Sequence, residues 1–343
     1  MIKTLTSWRG IFALCIVCYH FGMHEFDQMT FAGVTFFFML SGFLVTYRQG
    51  AVTSLKQFYG HRFMRIFPLH WLALAAMIAL DMAIIHKFNY GWDLPFHVTL
   101  LQSWIPQEQV YYNYSIHSWF LSSMLFCVIA TPLLLKFFNK VPRTISWAMV
   151  IAACTTAAVL SLASDEASRN YFYVCPAFRL VDYALGMMLG TTMREHRQTS
   201  HSISLAKAST IEAVILLVFA AFIAVHACRL DTVLKLGNQA WWWVPMMLLI
   251  ASSTLLNNHE GAIGKALTIK PLLWLGKISF ELYILQKFAN NLFVYTIAPF
   301  FGHFGVMIYD YSFMCTIPIL IIIAWCVNRW YTRPISKLSN NRI

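Results

Sequence analysis

The sequence predicts an all-α protein, a polytopic transmembrane helical bundle of about ten helices with both termini in the cytoplasm (N-in/C-in). The first observation is composition: of 343 residues, 59% are hydrophobic and 11% are charged, and the mean hydropathy is +0.61. A soluble domain carries about 25% charged residues, so most of the surface is expected to face lipid. The other two observations are the recurrence of apolar segments and the distribution of basic residues between them.

Apolar segments long enough to cross about 30 Å of hydrocarbon recur from one end of the sequence to the other. They predict ten spans, which together form a single transmembrane domain over residues 1–343. The predicted spans are 8–24, 31–47, 66–85, 117–138, 145–163, 174–193, 210–227, 239–256, 272–293 and 306–328.

The basic residues indicate the orientation. With the N-terminus inside, the cytoplasmic segments and helix ends hold 19 of the 25 Lys and Arg residues, whereas the outside segments hold four, Lys87, Arg169, Arg229 and Lys235. Lys and Arg collect on the cytoplasmic side of membrane proteins, which favours N-in and C-in. The same bias accounts for the net charge of +11, so the lipid bilayer is the expected partner and nucleic acid is not.

Two segments between the spans differ from the rest. The inside loop 48–65 carries four basic residues, and the outside segment 86–116 is rich in Trp, Tyr and Asn. The outside segment is predicted to contain a re-entrant or interfacial helix. A run of three tryptophans, Trp241–Trp243, falls at a predicted outer boundary and is interpreted as part of an aromatic belt.

The first span contains the sharpest candidate pair, Arg9 and His20. They are 11 residues apart, which is about 16 Å and three turns of helix, so both point to about the same face. Arginine is suited to binding phosphate, and histidine to general-base work near neutral pH. The alternatives are a cytoplasmic anchor for Arg9 and a satisfied buried histidine for His20.

A second basic pair, Arg62 and Arg65, stands at the mouth of the third span. Residues three apart share a helix face, and the predicted orientation places both on the same side of the membrane as Arg9. Three arginines could therefore converge on one polyphosphate. Positive-inside anchoring is the alternative.

Charged residues within the spans are costly unless they are paired or hydrated. Arg179 and Asp182, at positions i and i+3, are predicted to form an ion pair, with contact to a substrate as the alternative. Glu281 is a further candidate, because an unpaired carboxylate in the ninth span would destabilise the folded protein. His24 lies one turn from His20, but the nearby acids fall at the helix end, so no metal site is predicted.

Six stretches, in this order along the chain, resemble the acyltransferase-3 family of integral membrane O-acyltransferases. The first is the Arg-x10-His pattern at Arg9 and His20, and the third is the Arg-x-x-Arg pattern at Arg62 and Arg65. The others are Phe36-Phe37-Phe38-Met39-Leu40-Ser41-Gly42-Phe43-Leu44, Ser118-Trp119-Phe120-Leu121, FRLVDYALGMMLG at 178–190 and LGKISFELYIL at 275–285.

The resemblance implies a multi-pass protein of the bacterial inner (cytoplasmic) membrane that takes an acyl group, expected to be acetyl, from cytoplasmic acyl-CoA. Acetyl-CoA is then a donor substrate, with no permanently bound cofactor. Its phosphates would be held by Arg9, Arg62 and Arg65. His20 would be the catalytic residue, either removing the proton of the acceptor hydroxyl or carrying the acyl group. The implied acceptor is a sugar hydroxyl of a surface glycan, such as O-antigen or exopolysaccharide, or of its lipid-linked precursor.

The motifs also leave parts of the site open. Trp119, Arg179, Asp182 and Glu281 are tentative substrate contacts. Many relatives have a glutamate soon after the Ser-Trp motif, where this chain has Ser122-Ser123-Met124-Leu125, and a histidine where it has Gln286. The residue that orients His20 is therefore unassigned, and Glu25, Asp27, Glu281 and Asp182 are the candidates.

Two other functions compete with glycan acylation. One is acyl transfer to a small molecule or to a peptidoglycan sugar. The other is secondary transport, which predicts repeated halves with broken helices at matching positions, and the sequence contains no such repeat.

Overall fold

The computed structural model describes residues 2–48, 52, 54–86, 90–195, 203–303 and 312–342. Within these ranges the chain is helical and contains no strand, so the all-α prediction is confirmed. Lys87 and the start of the tenth predicted span lie outside the described residues.

The first nine helices are α1 Lys3–His20, α2 Asp27–Arg48, α3 Leu55–Leu80, α4 Leu94–Thr99, α5 Glu108–Tyr111, α6 Ser118–Lys140, α7 Arg143–Ala163, α8 Glu166–Val174 and α9 Pro176–Glu195. The others are α10 Leu205–Ala227, α11 Asp231–Leu236, α12 Trp243–Leu255, α13 Ala262–Leu267, α14 Lys270–Lys277, α15 Ser279–Leu292, α16 Ala298–Gly302, α17 Ser312–Val327 and α18 Arg333–Arg342.

Six helical stretches in the described part of the chain are long and apolar enough to cross a membrane. They are His24–Arg48, Leu55–Ile84, Ser118–Lys140, Arg143–Ala163, Leu205–Ala227 and Met314–Lys337. A seventh results if α8 and α9, which meet at a bend of 55°, count as one span. The other predicted spans coincide with helices that are short, such as α12, or polar at both ends, such as α1. The count of ten and the N-in/C-in orientation stay predictions.

Helix α3 begins earlier than the sequence suggested. Ser54 caps it, because its side chain accepts a hydrogen bond from the backbone N–H of Gln57. The helix also continues through Pro68, as membrane helices tolerate. The C-terminal half of the predicted loop 48–65 is therefore helical, and this prediction was wrong there: Arg62 and Arg65 lie inside α3.

The chain divides into two compact units. The first comprises Met1–Phe12, Gln28–Thr53 and Ile129–Lys277, and the second comprises Ala13–Asp27, Ser54–Val128 and Ile278–Ile343. The prediction of a single transmembrane domain stays a prediction.

Within the first unit, α2 and α9 approach until their backbones touch. A Cβ placed on Gly186 would lie 1.9 Å from the carbonyl oxygen of Met39, and one on Gly190 would lie 2.5 Å from that of Phe43. These two glycines are four apart, the spacing that permits close helix packing in membranes. Thr46 adds a 2.8 Å hydrogen bond to the carbonyl of Met187. Small residues therefore set the distance between the two helices.

Within the second unit, hydrogen bonds tie the segment between α3 and α6 to α3. His70 on α3 donates to the carbonyl of His97, and His97 donates to the carbonyl of Val110. Burial lowers the pKa of His97, so a neutral ring making one N–H donation fits the site. The segment contains two short helices, α4 and α5, and a re-entrant or interfacial position for them stays a prediction. This bonding holds α4 and the backbone at Val110 against α3.

Candidate active site

The first feature of the candidate site is the hydrogen bond of His20, the last residue of α1. Its Nδ1 lies 3.2 Å from Oε1 of Gln286 on α15. Gln286 donates its own Nε2 to the carbonyl of Tyr283 at 3.0 Å, which fixes the orientation of the amide. Oε1 can only accept, so Nδ1 of His20 carries the proton. In the neutral ring, Nε2 then holds the free lone pair.

A second imidazole, that of His117, packs against His20. The two ring centroids are 4.2 Å apart and the rings are inclined by 69°. The ring of Tyr283 lies 5.9 Å from that of His117, between centroids, and also contacts Phe120. We call His20, His117, Phe120, Tyr283 and Gln286 the paired-histidine site. All five belong to the second unit.

The start of α6 holds His117 in place. The carbonyl of His117 accepts the backbone N–H of Phe120, and the hydroxyl of Ser118 donates to the carbonyl of Ser115. Gln102 donates to the same hydroxyl, and Ser103 donates to the carbonyl of Trp119. The Ser-Trp motif therefore serves as a junction between the preceding loop and α6. The tentative substrate contact by Trp119, which is buried, stays a prediction.

His117 is buried without hydrogen bonds to its ring. Its exposed fraction is 3%, and neither ring nitrogen has a hydrogen-bond partner among the residues that the structure describes. A buried polar group left in this state costs about 1–3 kcal/mol, so such groups call for an explanation.

The arginines of the two basic motifs lie in different units. Arg62 and Arg65 belong to the second unit, where the guanidinium of Arg62 lies over the ring of Phe58 at 5.0 Å and Arg65 is exposed. Arg9 belongs to the first unit, on α1, which continues unbroken to His20. The convergence of all three arginines stays a prediction.

Arg179 and Asp182 form a fully buried cluster in the first unit. Both side chains are 0% exposed, and Nη1 of Arg179 lies 2.8 Å from Oδ2 of Asp182. Oδ1 accepts from Gln239 and Trp243, and Nε of Arg179 donates to the carbonyl of Tyr173. Since protein donors occupy both carboxylate oxygens, the geometry favours a structural ion pair over a substrate contact.

The same cluster corrects the interpretation of the tryptophan run. Trp242 is completely buried and donates to the carbonyl of Gly237, and Trp243 bonds to Asp182. A belt residue would face the membrane interface, so the aromatic-belt prediction was wrong for these two. They form part of the core.

Glu281 has a different environment from the paired-histidine site. It is 1% exposed; Oε1 accepts from Asn328 at 2.7 Å, and Oε2 has no partner within the described part of the chain. It lies five positions before Gln286 on α15, about 140° around the helix. The two side chains therefore leave opposite sides of α15, and Gln286, rather than Glu281, contacts His20.

Sequence reasoning missed His117 and the orienting role of Gln286. His117 is the first residue of the predicted span 117–138, and an ionisable residue at the end of a span is a signal that could have singled it out. From the sequence, Gln286 stands out only as a departure from the family pattern. A glutamine amide neither titrates nor acts as a nucleophile, so its residue type does not indicate a catalytic role.

Comparisons with known proteins agree with the sequence motifs. The acyltransferase-3 family model, described as an acyltransferase domain, matches residues 2–333. The chain is 26% identical over 226 residues to the acyltransferase MdmB of Streptomyces mycarofaciens. The matched region covers 56% of this chain and 58% of that protein. No solved structure matches the chain.

Proposed function

The chain belongs to the acyltransferase-3 family, and from this premise we propose that it transfers an acyl group, in the first instance acetyl, from cytoplasmic acyl-CoA to a sugar hydroxyl of a cell-surface glycan or its lipid-linked precursor. The family resemblance predicted from the motifs is confirmed, and the similarity to an acyltransferase and the long apolar helices support a multi-pass membrane acyltransferase. Donor, acceptor and catalytic roles are the proposal.

The hydrogen bond between His20 and Gln286 is the observation that carries the proposal. It leaves the lone pair on Nε2, which is the atom that a general base or a nucleophile needs. As a base, Nε2 takes the proton of the acceptor hydroxyl while the oxygen attacks the thioester carbon. The C–O bond forms, the C–S bond breaks, and the thiolate leaves with the proton as CoA thiol.

Covalent catalysis by the same atom is the other route. Nε2 would attack the thioester carbon and release CoA, and the acceptor hydroxyl would then take the acyl group from the imidazole. Both routes need the same tautomer of His20, so the role of Gln286 is common to them.

The proposal is tested with inside-out membrane vesicles that contain the chain, supplied with radiolabelled acetyl-CoA. Label is expected in the glycan or lipid-linked glycan fraction, and O-acetyl signals are expected to disappear from the surface glycan of cells that lack the gene. Label in a small-molecule or peptidoglycan fraction would correct the acceptor. Absence of acyl transfer to every fraction would overturn the proposal and favour transport.

Replacing Gln286 with Leu is expected to slow acyl transfer about fivefold, because the tautomer and orientation of His20 lose a hydrogen bond worth about 1 kcal/mol. Gln286→Glu keeps an acceptor at the same position and is the matched control, expected to stay closer to wild type. The measurement is the maximal rate at saturating acetyl-CoA. Equal rates for the Leu and Glu variants would contradict the orienting role.

The proposed phosphate contacts are tested with lysine substitutions. The double variant Arg62→Lys/Arg65→Lys keeps both positive charges, which set topology, but loses the planar fork that binds phosphate through paired hydrogen bonds. We expect KM for acetyl-CoA to rise tenfold or more, with normal membrane insertion. Arg48→Lys, at the exposed end of α2, is the control. An unchanged KM in the double variant would leave Arg62 and Arg65 as topological anchors.

A further inference from the structure

The paired-histidine site contains a second histidine to which the motifs assign no role. The other two buried histidines of the same region, His70 and His97, each place a ring nitrogen on a backbone carbonyl. His117 is as deeply buried, yet neither of its nitrogens has a hydrogen-bond partner in the described ranges. The ring therefore has a donor and an acceptor that none of the described residues satisfies.

The position of the ring indicates what that partner is. His117 lies 4.2 Å, between centroids, from His20, whose Nδ1 is already taken up by Gln286. At this separation, with the rings inclined by 69°, the two imidazoles are in direct edge-to-face contact. A substrate that binds at His20 would therefore lie next to the ring of His117, whose two nitrogens have no hydrogen-bond partner among the described residues.

We propose that His117 is a second catalytic residue, a neutral imidazole whose N–H donates a hydrogen bond to the thioester carbonyl oxygen of the acyl donor. This inference rests on the proposed acyl transfer. Preorganised donors aimed at a developing oxyanion are among the largest contributions to catalysis, and a neutral imidazole can polarise a carbonyl in this way.

The electron movements require no additional reagent. When the nucleophile attacks the carbonyl carbon, the C=O electron pair moves onto oxygen, and the hydrogen bond from His117 strengthens. When the pair returns, the C–S bond breaks and CoA leaves. His117 keeps its proton throughout, while the proton of the acceptor hydroxyl passes through His20.

The surroundings favour a donor that stays neutral over a second base. Burial disfavours a charged ring, and both His20 and the ammonium of Lys287 are close enough to act electrostatically on His117. A positive charge on His117 would be repelled by Lys287. Of the two imidazoles, His20 has its tautomer set by a hydrogen bond and is the one suited to proton transfer.

The test compares His117→Ala with His117→Asn and His117→Gln in inside-out vesicles supplied with radiolabelled acetyl-CoA. The Ala variant is expected to lower the maximal rate about 10²–10³-fold, with KM for acetyl-CoA within about twofold. Asn and Gln carry an amide N–H and are expected to recover at least about tenfold of that loss. The pH dependence of the Asn variant is expected to keep the wild-type shape, because His117 does not titrate in the proposed step.

His70→Asn provides the control for a merely structural histidine. It removes a buried ring that bonds to backbone, so it is expected to lower the thermal unfolding temperature while the rate per folded molecule stays within about twofold. If His117→Ala behaves in the same way, the ring is a packing element and the inference is overturned. Loss of a titration step in His117→Asn would overturn it as well, by making His117 the base.

Failure of this inference is distinguishable from failure of the proposed function. Transfer by wild type, its loss in His20→Ala and its retention in His117→Ala would overturn the role of His117 alone. Absence of acyl transfer by wild type would overturn both.

Discussion

His20→Ala is expected to reduce acyl transfer by at least about 10³-fold, because the variant lacks the one atom, Nε2, that the hydrogen bond to Gln286 leaves unprotonated. The loss should appear in the maximal rate, whereas KM for acetyl-CoA should change little, since the proposed phosphate contacts come from arginines. The measurement is incorporation of label from acetyl-CoA into the acceptor fraction of inside-out vesicles.

The matched control is His24→Ala, one turn further along the chain. His24 is exposed and its ring contacts Tyr19 rather than His117, so its removal is expected to leave the rate within about twofold of wild type. An active His20→Ala variant would remove His20 from the mechanism.

Wild type and the His20→Ala variant together distinguish the two chemical routes. In the covalent route, wild type mixed with labelled acetyl-CoA in the absence of acceptor accumulates label on the protein, and hydroxylamine removes it. In the general-base route, no label accumulates. His20→Ala should carry none in either case, which confines any label to the proposed atom.

The sequence carried most of the information about the fold because apolar composition and helix length are local properties. It could not give the number of spans. Helix α12 has 13 residues, fewer than a full membrane crossing needs. Helix α15 continues through a π-helical turn into α16 but contains the polar residues Glu281, Gln286 and Lys287. The start of α3 was missed because the predicted span was placed by its apolar run, which begins at residue 66, whereas the cap that begins the helix is at Ser54.

The candidate site was partly predictable for a related reason. The motif singled out His20, but the contacts that define its chemistry come from residues 97 and 266 positions away, His117 and Gln286. Similarly, a tryptophan at a span end has the same sequence signature whether it faces lipid or donates to a buried carboxylate, as Trp243 does to Asp182. Such pairings depend on tertiary packing.

Asp182→Ala is expected to be among the most destabilising substitutions in the chain. It leaves the guanidinium of Arg179 buried without its counter-charge, and it removes the acceptor used by Gln239 and Trp243. Breaking a buried pair in this way costs about 3–5 kcal/mol. The measurement is thermal unfolding in detergent. As a control, Asp231→Ala breaks the exposed ion pair with Lys235 and should change the unfolding temperature little.

Asp182→Asn separates the loss of the counter-charge from the loss of the hydrogen-bond acceptor. It also tests for a substrate contact. The amide oxygen still accepts from Gln239 and Trp243, so the variant loses mainly the charge. Because an uncompensated buried charge costs more than a single neutral hydrogen bond, Asn should be destabilised nearly as much as Ala. Acyl transfer per folded molecule should stay within about twofold of wild type, since protein donors already occupy both oxygens. Normal stability with a large fall in rate would instead assign Asp182 to the substrate.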